Sequence, residues 1–130
     1  MMNTIISNVL ARKQDIINNT MEYENLNKNH IPHDHVKEYV KLYNFFNDNF
    51  NDDEIMVVQS IMYFGRDCFP NGNPEYNGNI EEVIEQWMKN LFFSFGKKIN
   101  KEIEIDQMVG KGLKIGTYFK LAFEYFEKNI

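Results

Sequence analysis

All three histidines of the chain fall within six residues, His30-Ile31-Pro32-His33-Asp34-His35, with Glu38 one turn further on. Imidazole nitrogens and carboxylate oxygens are good ligands for zinc, iron or nickel, which makes His30, His33 and His35 the candidate ligands of a metal centre. The spacing works against that chemistry. On a helix, residues two apart point to different sides, and no histidine here has another four positions away. Asp48, Asp52 and Asp53 are the acids that a second element would have to bring in. The competing reading places the segment at an exposed helix start, where Asp34 meets the positive end of the helix dipole. That reading is preferred, and neither a cofactor nor a tightly bound metal is expected.

Other constellations fail at required positions. Asn73, Glu75, Asn77 and Gly78 fall at positions one, three, five and six of a calcium loop, but position twelve, where a bidentate Glu belongs, is Ile84. Gly110-Lys-Gly-Leu-Lys-Ile-Gly116-Thr117 lacks the Gly-Lys-Ser/Thr ending of a phosphate loop. Cys68 would need a base and an orienting group to act as a nucleophile, and a lone cysteine beside Phe69 is more often packed than reactive. Arg66 and Asp67 follow an apolar run and carry opposite charges, so they pair with each other or with neighbours. With Tyr76 they are the candidate ligand-binding residues.

Residue spacing sets the elements that must position these groups. Ile6, Val9, Leu10, Ile16, Ile17 and Met21 recur at three- and four-residue steps and predict a helix over 4–25. Val36, Tyr39, Val40, Tyr43 and Phe46 predict a second over 32–48, opened by Pro32. Asn51 and Glu54 form a capping-box signature for a third over 52–64. Its run Ile55 to Phe64 is apolar on nearly every side, as a central helix must be, and Gly65 is expected to end it in a left-handed conformation. Residues 65–79 form a long Gly/Asn/Pro loop, after which Asn79 caps a helix over 79–95 with Val83, Ile84, Trp87, Met88 and Leu91 facing inward. Residues 97–105 read equally as a short strand or a helix lead-in. The last helix is expected over 106–128, where Gly110, Gly112 and Gly116 mark a break or a close approach by another helix. The fold class is all-α, one domain over 1–130 in a bundle of about five helices.

Two segments, Ile61-Met62-Tyr63-Phe64-Gly65-Arg66-Asp67 and Gly110-Lys111-Gly112-Leu113, resemble landmarks of a bacterial domain family of unknown function. That family carries an aromatic-x-Gly-Arg-Asp-like stretch and a terminal Gly-Leu helix. The likeness covers the C-terminal half and implies a fold but no activity.

Composition narrows the function classes. With 43% hydrophobic and 15% aromatic residues among 130, core material is ample and a surplus remains for contacts with another chain. A net charge of −5 argues against direct nucleic-acid binding. Charge is uneven: residues 1–88 hold six Lys/Arg against fourteen Asp/Glu, residues 89–130 eight against five. One cysteine, no apolar run of about 20 residues and no signal-like N-terminus lead to the expectation of a soluble, cytoplasmic protein away from membranes. On the last helix Ile115, Phe119 and Phe123 are read as lying on a different side from Val109, Leu113 and Phe126, which makes them the candidate interface of a homodimer, with wrapping by the N-terminal helix of the same chain as the competing solution. The leading expectation is a non-enzymatic interaction or regulatory protein acting on a protein partner or on itself. One alternative is a metal-dependent or small-ligand enzyme using His30–His35 and the 65–79 loop. The other is an acidic inhibitor docking on a basic surface of a nucleic-acid enzyme.

Overall fold

In this computed structural model the structure describes residues 2–28, 35–68, 79–92, 100–110 and 114–128. The described residues are all-α and form seven helices rather than about five: α1 Met2–Leu10, α2 Lys13–Lys28, α3 His35–Asn49, α4 Asp52–Cys68, α5 Ile80–Phe92, α6 Lys101–Gly110 and α7 Ile115–Lys128. The higher count comes from a break inside the first expected helix and another inside the last, where the glycines had left a break open.

The first break lies at Ala11–Arg12. The Arg12 N–H reaches back only three residues, to the Val9 carbonyl at 2.9 Å, which tightens the turn and stops α1. Arg12 is thereby brought to the end of α3. Its Nη2 donates to Asn49 Oδ1 at 2.9 Å, and its guanidinium carbon sits 5.4 Å from the centre of the Phe50 ring. The second break separates α6 from α7, and Gly112 and Leu113 between them lie outside the described residues.

Asparagine opens three helices by the same device. Asn51 Oδ1 accepts the Glu54 N–H while Glu54 Oε1 accepts the Asn51 N–H, both at 2.9 Å, completing the capping box of α4. Asn79 accepts the Glu82 N–H at 3.0 Å and starts α5. Asn100 accepts the Ile103 N–H at 3.2 Å, so the stretch from Lys101 is helix, and 97–99 lie outside the described residues.

α4 packs against α1, α5, α6 and α7, and every residue from Ile55 to Gly65 is buried. It does not end at Gly65 but runs on to Cys68, so residues 65–68 of the expected loop are helical. Of the rest of that loop, 69–78 lie outside the described residues. Gly65 serves a different purpose from the one expected. A Cβ built there would lie 1.9 Å from the Tyr118 carbonyl oxygen, so α7 crosses α4 at backbone contact. Gly116 does the same on the other side of α7, where a Cβ would meet the Met21 backbone nitrogen at 2.7 Å. The first turn of α7 is thus held between α2 and α4 through two missing side chains.

Buried apolar residues of all seven helices join one cluster. Rings thread through it: Phe46 lies 6.3 Å from Phe119, Phe119 6.2 Å from Phe123, Phe123 6.3 Å from Phe126 and Phe126 5.3 Å from Phe64. Trp87 on α5 extends this thread, edge-on to Phe64 at 5.9 Å. Offset and edge-to-face pairs of this kind add about 0.5–1.5 kcal/mol each beyond the area they bury.

Candidate functional site

Glu24 sits near the end of α2 on the same face as Ile16 and Thr20, at four-residue steps, and is only 5% exposed. A carboxylate in a buried stripe needs strong partners. Glu24 Oε1 accepts the Thr117 backbone N–H at 2.9 Å, and Oε2 accepts the Thr117 hydroxyl at 2.7 Å. Thr117 is in the first turn of α7, where amide donors have no partner within the helix and the dipole favours a negative charge. A hydroxyl against a carboxylate is also how a nucleophile meets its base. Here the second carboxylate oxygen is committed to a backbone donor and the pair is enclosed between helices, so the arrangement works as a cap supplied from another helix.

The hydroxyls of Ser60 and Thr20 are used locally. Ser60 Oγ donates to the Met56 carbonyl at 2.8 Å and Thr20 Oγ1 to the Ile16 carbonyl at 2.6 Å. Gln59 is the exception. It is 2% exposed at the middle of α4, and its Oε1 is buried with no hydrogen-bond partner.

The expected ligand-binding pair is in place but occupied with itself. Arg66 Nε and Nη2 donate to the two Asp67 oxygens at 2.7 and 3.2 Å, and the guanidinium carbon lies 4.3 Å over the Tyr63 ring. The hydrogen bond to Asp67 pushes the Arg66 guanidinium further above its ordinary range. Tyr76, the third residue of that set, lies outside the described residues.

Of the histidines, His30 and His33 lie outside the described residues. His35 opens α3, and its side chain is not among those described. Among the described residues no group of three or more His, Cys, Asp or Glu side chains gathers around a common point. Ile84, at the place of a calcium loop's bidentate acid, is buried in the core at 2% exposure.

Ile115, Phe119 and Phe123 require a correction. They are 0%, 0% and 1% exposed, packed within the chain's own core, and are not available to a second copy. The misreading has a simple cause. Phe126 lies seven residues after Phe119 and three after Phe123, so it shares their side of α7 and cannot define an opposite one; Ile115, Phe119, Ala122, Phe123 and Phe126 form one inward stripe. α2 and α4 cover both flanks of that stripe.

Surface features lie on α2, α3 and α6. A cavity of about 10 Å³, room for about one water, is lined by Asn19, Glu22, Tyr23, Glu38, Lys41 and Leu42 between α2 and α3. Lys41 Nζ bridges it to Glu22 Oε1 at 2.7 Å, which raises the ammonium above its usual range. Val40 on α3 and Ile103 on α6 are the exposed large apolar side chains among the described residues, at 45% and 51%. These two helices pack together: Lys101 Nζ donates to the Asn47 carbonyl at 2.8 Å, and partial burial followed by the Glu102 carboxylate pushes the Tyr43 hydroxyl up.

Sequence reasoning missed Glu24, Arg12, Gln59 and this outer face. The four-residue spacing of Glu24 behind Ile16 and Thr20 was a usable signal for the first. Nothing in spacing alone marked the others. No helix among the described residues is long and apolar enough to cross a membrane. Compared with known proteins, the chain matches no family model, no curated protein and no solved structure.

Proposed function

We propose that the chain is a non-enzymatic interaction or regulatory protein that acts through contact with another protein on the outer side of α3 and α6. The observation that carries this reading is the exposure of Val40 and Ile103 on two helices that pack against each other. Elsewhere among the described residues large apolar side chains are buried or half-buried, so exposure on neighbouring elements is a local departure. Support also comes from how the polar groups are spent. Glu24, Thr117, Asn51, Asn79, Asn100 and Arg12 hold helix ends and junctions together, and Arg66 is paired with the adjacent Asp67. A homodimer through Ile115, Phe119 and Phe123 is not part of the proposal.

Photocrosslinking in the producing cell tests it. A photoreactive residue at position 40 or 103 is expected to give discrete protein adducts, and the same residue at Gln86, exposed on α5, is expected to give none. Equal labelling from all three positions, or none from 40 and 103, overturns the reading. Sedimentation at micromolar concentration reports in parallel whether the adduct is a second copy.

A further inference from the structure

We infer that the outer face of α6 docks a basic, amphipathic protein segment. This rests on the reading of the chain as an interaction protein and narrows its partner.

Ile103, half exposed, stands on that face with Glu102, Asp106 and Gln107, all exposed. The bond from Lys101 to the Asn47 carbonyl lays the first turn of α6 against the last turn of α3, next to exposed Asp48. α4 then opens with Asp52 and Asp53, also exposed, a few residues after α3 ends at Asn49. Among the described residues none of Asp48, Asp52, Asp53, Glu102 and Asp106 forms an ion pair. Lys101, the cation nearest in sequence, is committed to the Asn47 carbonyl, and Lys41 further along α3 is committed to Glu22.

An apolar side chain flanked on its own helix by the unpaired carboxylates of Glu102 and Asp106 selects its partner by charge. A helix carrying Leu-like residues between Lys or Arg would cover Ile103 and bring cations to the acids around it. A second copy presenting the same face across a two-fold axis would set carboxylate against carboxylate. Nucleic acid would meet the same repulsion.

The probe is a helical peptide of about 14 residues, roughly four turns, with Lys and Leu on opposite faces. Its Glu/Leu counterpart and an all-Lys peptide serve as comparisons. Binding to the full chain is followed by fluorescence anisotropy at rising salt, with circular dichroism confirming that each variant keeps its helix content. The Lys/Leu peptide is expected to bind at low ionic strength and to release as salt rises. The triple variant Asp48→Asn, Glu102→Gln, Asp106→Asn is expected to weaken it roughly tenfold, and Ile103→Ser by a comparable factor. Neutralising three acids elsewhere, Glu81→Gln, Glu82→Gln and Glu85→Gln on α5, is expected to change it by less than about twofold.

Equal weakening by the α5 variant, or tighter binding of the all-Lys peptide, would show attraction to net charge alone and overturn the inference. Preferential binding of the Glu/Leu peptide, lost in Ile103→Ser, would overturn the basic partner and leave the contact face standing. Failure of every peptide to respond to Ile103→Ser would overturn both.

Discussion

Glu24 and Thr117 are joined by two hydrogen bonds, 2.9 Å to the backbone amide and 2.7 Å to the hydroxyl, across 93 positions of sequence. With Lys13 paired to Glu127, this makes α2 and α7 antiparallel neighbours tied at both ends. Replacing Glu24 by Ala leaves a part-buried amide and hydroxyl without an acceptor. The loss is expected to be about 2 kcal/mol, with Glu24→Gln intermediate because one acceptor survives. Urea unfolding measures it, and a midpoint unchanged in Glu24→Ala would show that water replaces the carboxylate.

Two glycines are expected to respond in opposite directions to a single methyl group. Gly65→Ala forces a carbon toward the Tyr118 carbonyl and must displace α7, at a loss of about 3 kcal/mol or more. Gly110→Ala meets nothing within 4 Å in the last turn of α6 and is expected to stabilise by about 0.5–1 kcal/mol. Thermal melts of the two variants should move to opposite sides of the parent.

Gln59 holds a polar atom in the core with nothing to receive it. Methionine has nearly the same length and no such requirement, so Gln59→Met is expected to raise stability by about 1 kcal/mol. A lower denaturation midpoint would show that the amide is satisfied in solution.

Trp87 is half-buried against Phe64, and Phe64 is 1% exposed with rings on several sides. Trp87→Ala is therefore expected to lose about 2–3 kcal/mol and Phe64→Ala about 4. Trp87 fluorescence should peak between the values of a buried and a fully hydrated indole. If Trp87→Ala proves the more damaging, α5 packs more deeply than described.

Zinc or nickel added in excess and then dialysed away is expected to leave well below one equivalent on the protein. Elemental analysis reads the result. Stoichiometric retention lost on His33→Ala would revive the metal centre among His30, His33 and His35.

How far the sequence foretold the fold depended on whether a signal was local. Asn51 with Glu54, and Asn79 before its acids, are complete within four residues, and both caps form as read. The run Ile55–Phe64, apolar all round, needed no partner to announce a central helix. Gly65 shows the opposite case. A glycine that ends a helix and one that admits a crossing helix look the same until Tyr118 is seen against it. The inward stripe of α7 was split between two sides although Phe119, Phe123 and Phe126 stand at seven- and three-residue steps, a spacing that puts them on one face. Nothing local marks Arg12, because Asn49 and Phe50, the groups it binds, are far along the chain. The placement of α6 beside the end of α3 depends on Lys101 reaching Asn47, which no spacing rule foresees.

The α2–α7 joint has a consequence for the order of events in folding. Helices α3 to α6 are synthesised between its two halves, at about 5–20 residues per second. Through that interval the Met21 backbone and the Glu24 carboxylate have no seat, and α2 must wait with its α7-facing side open. Closing so long a loop costs more chain entropy than any contact within α3 to α6, so the joint is expected to form late. Until α7 arrives, that open side of α2 is where a chaperone would find the chain or where two nascent chains would adhere.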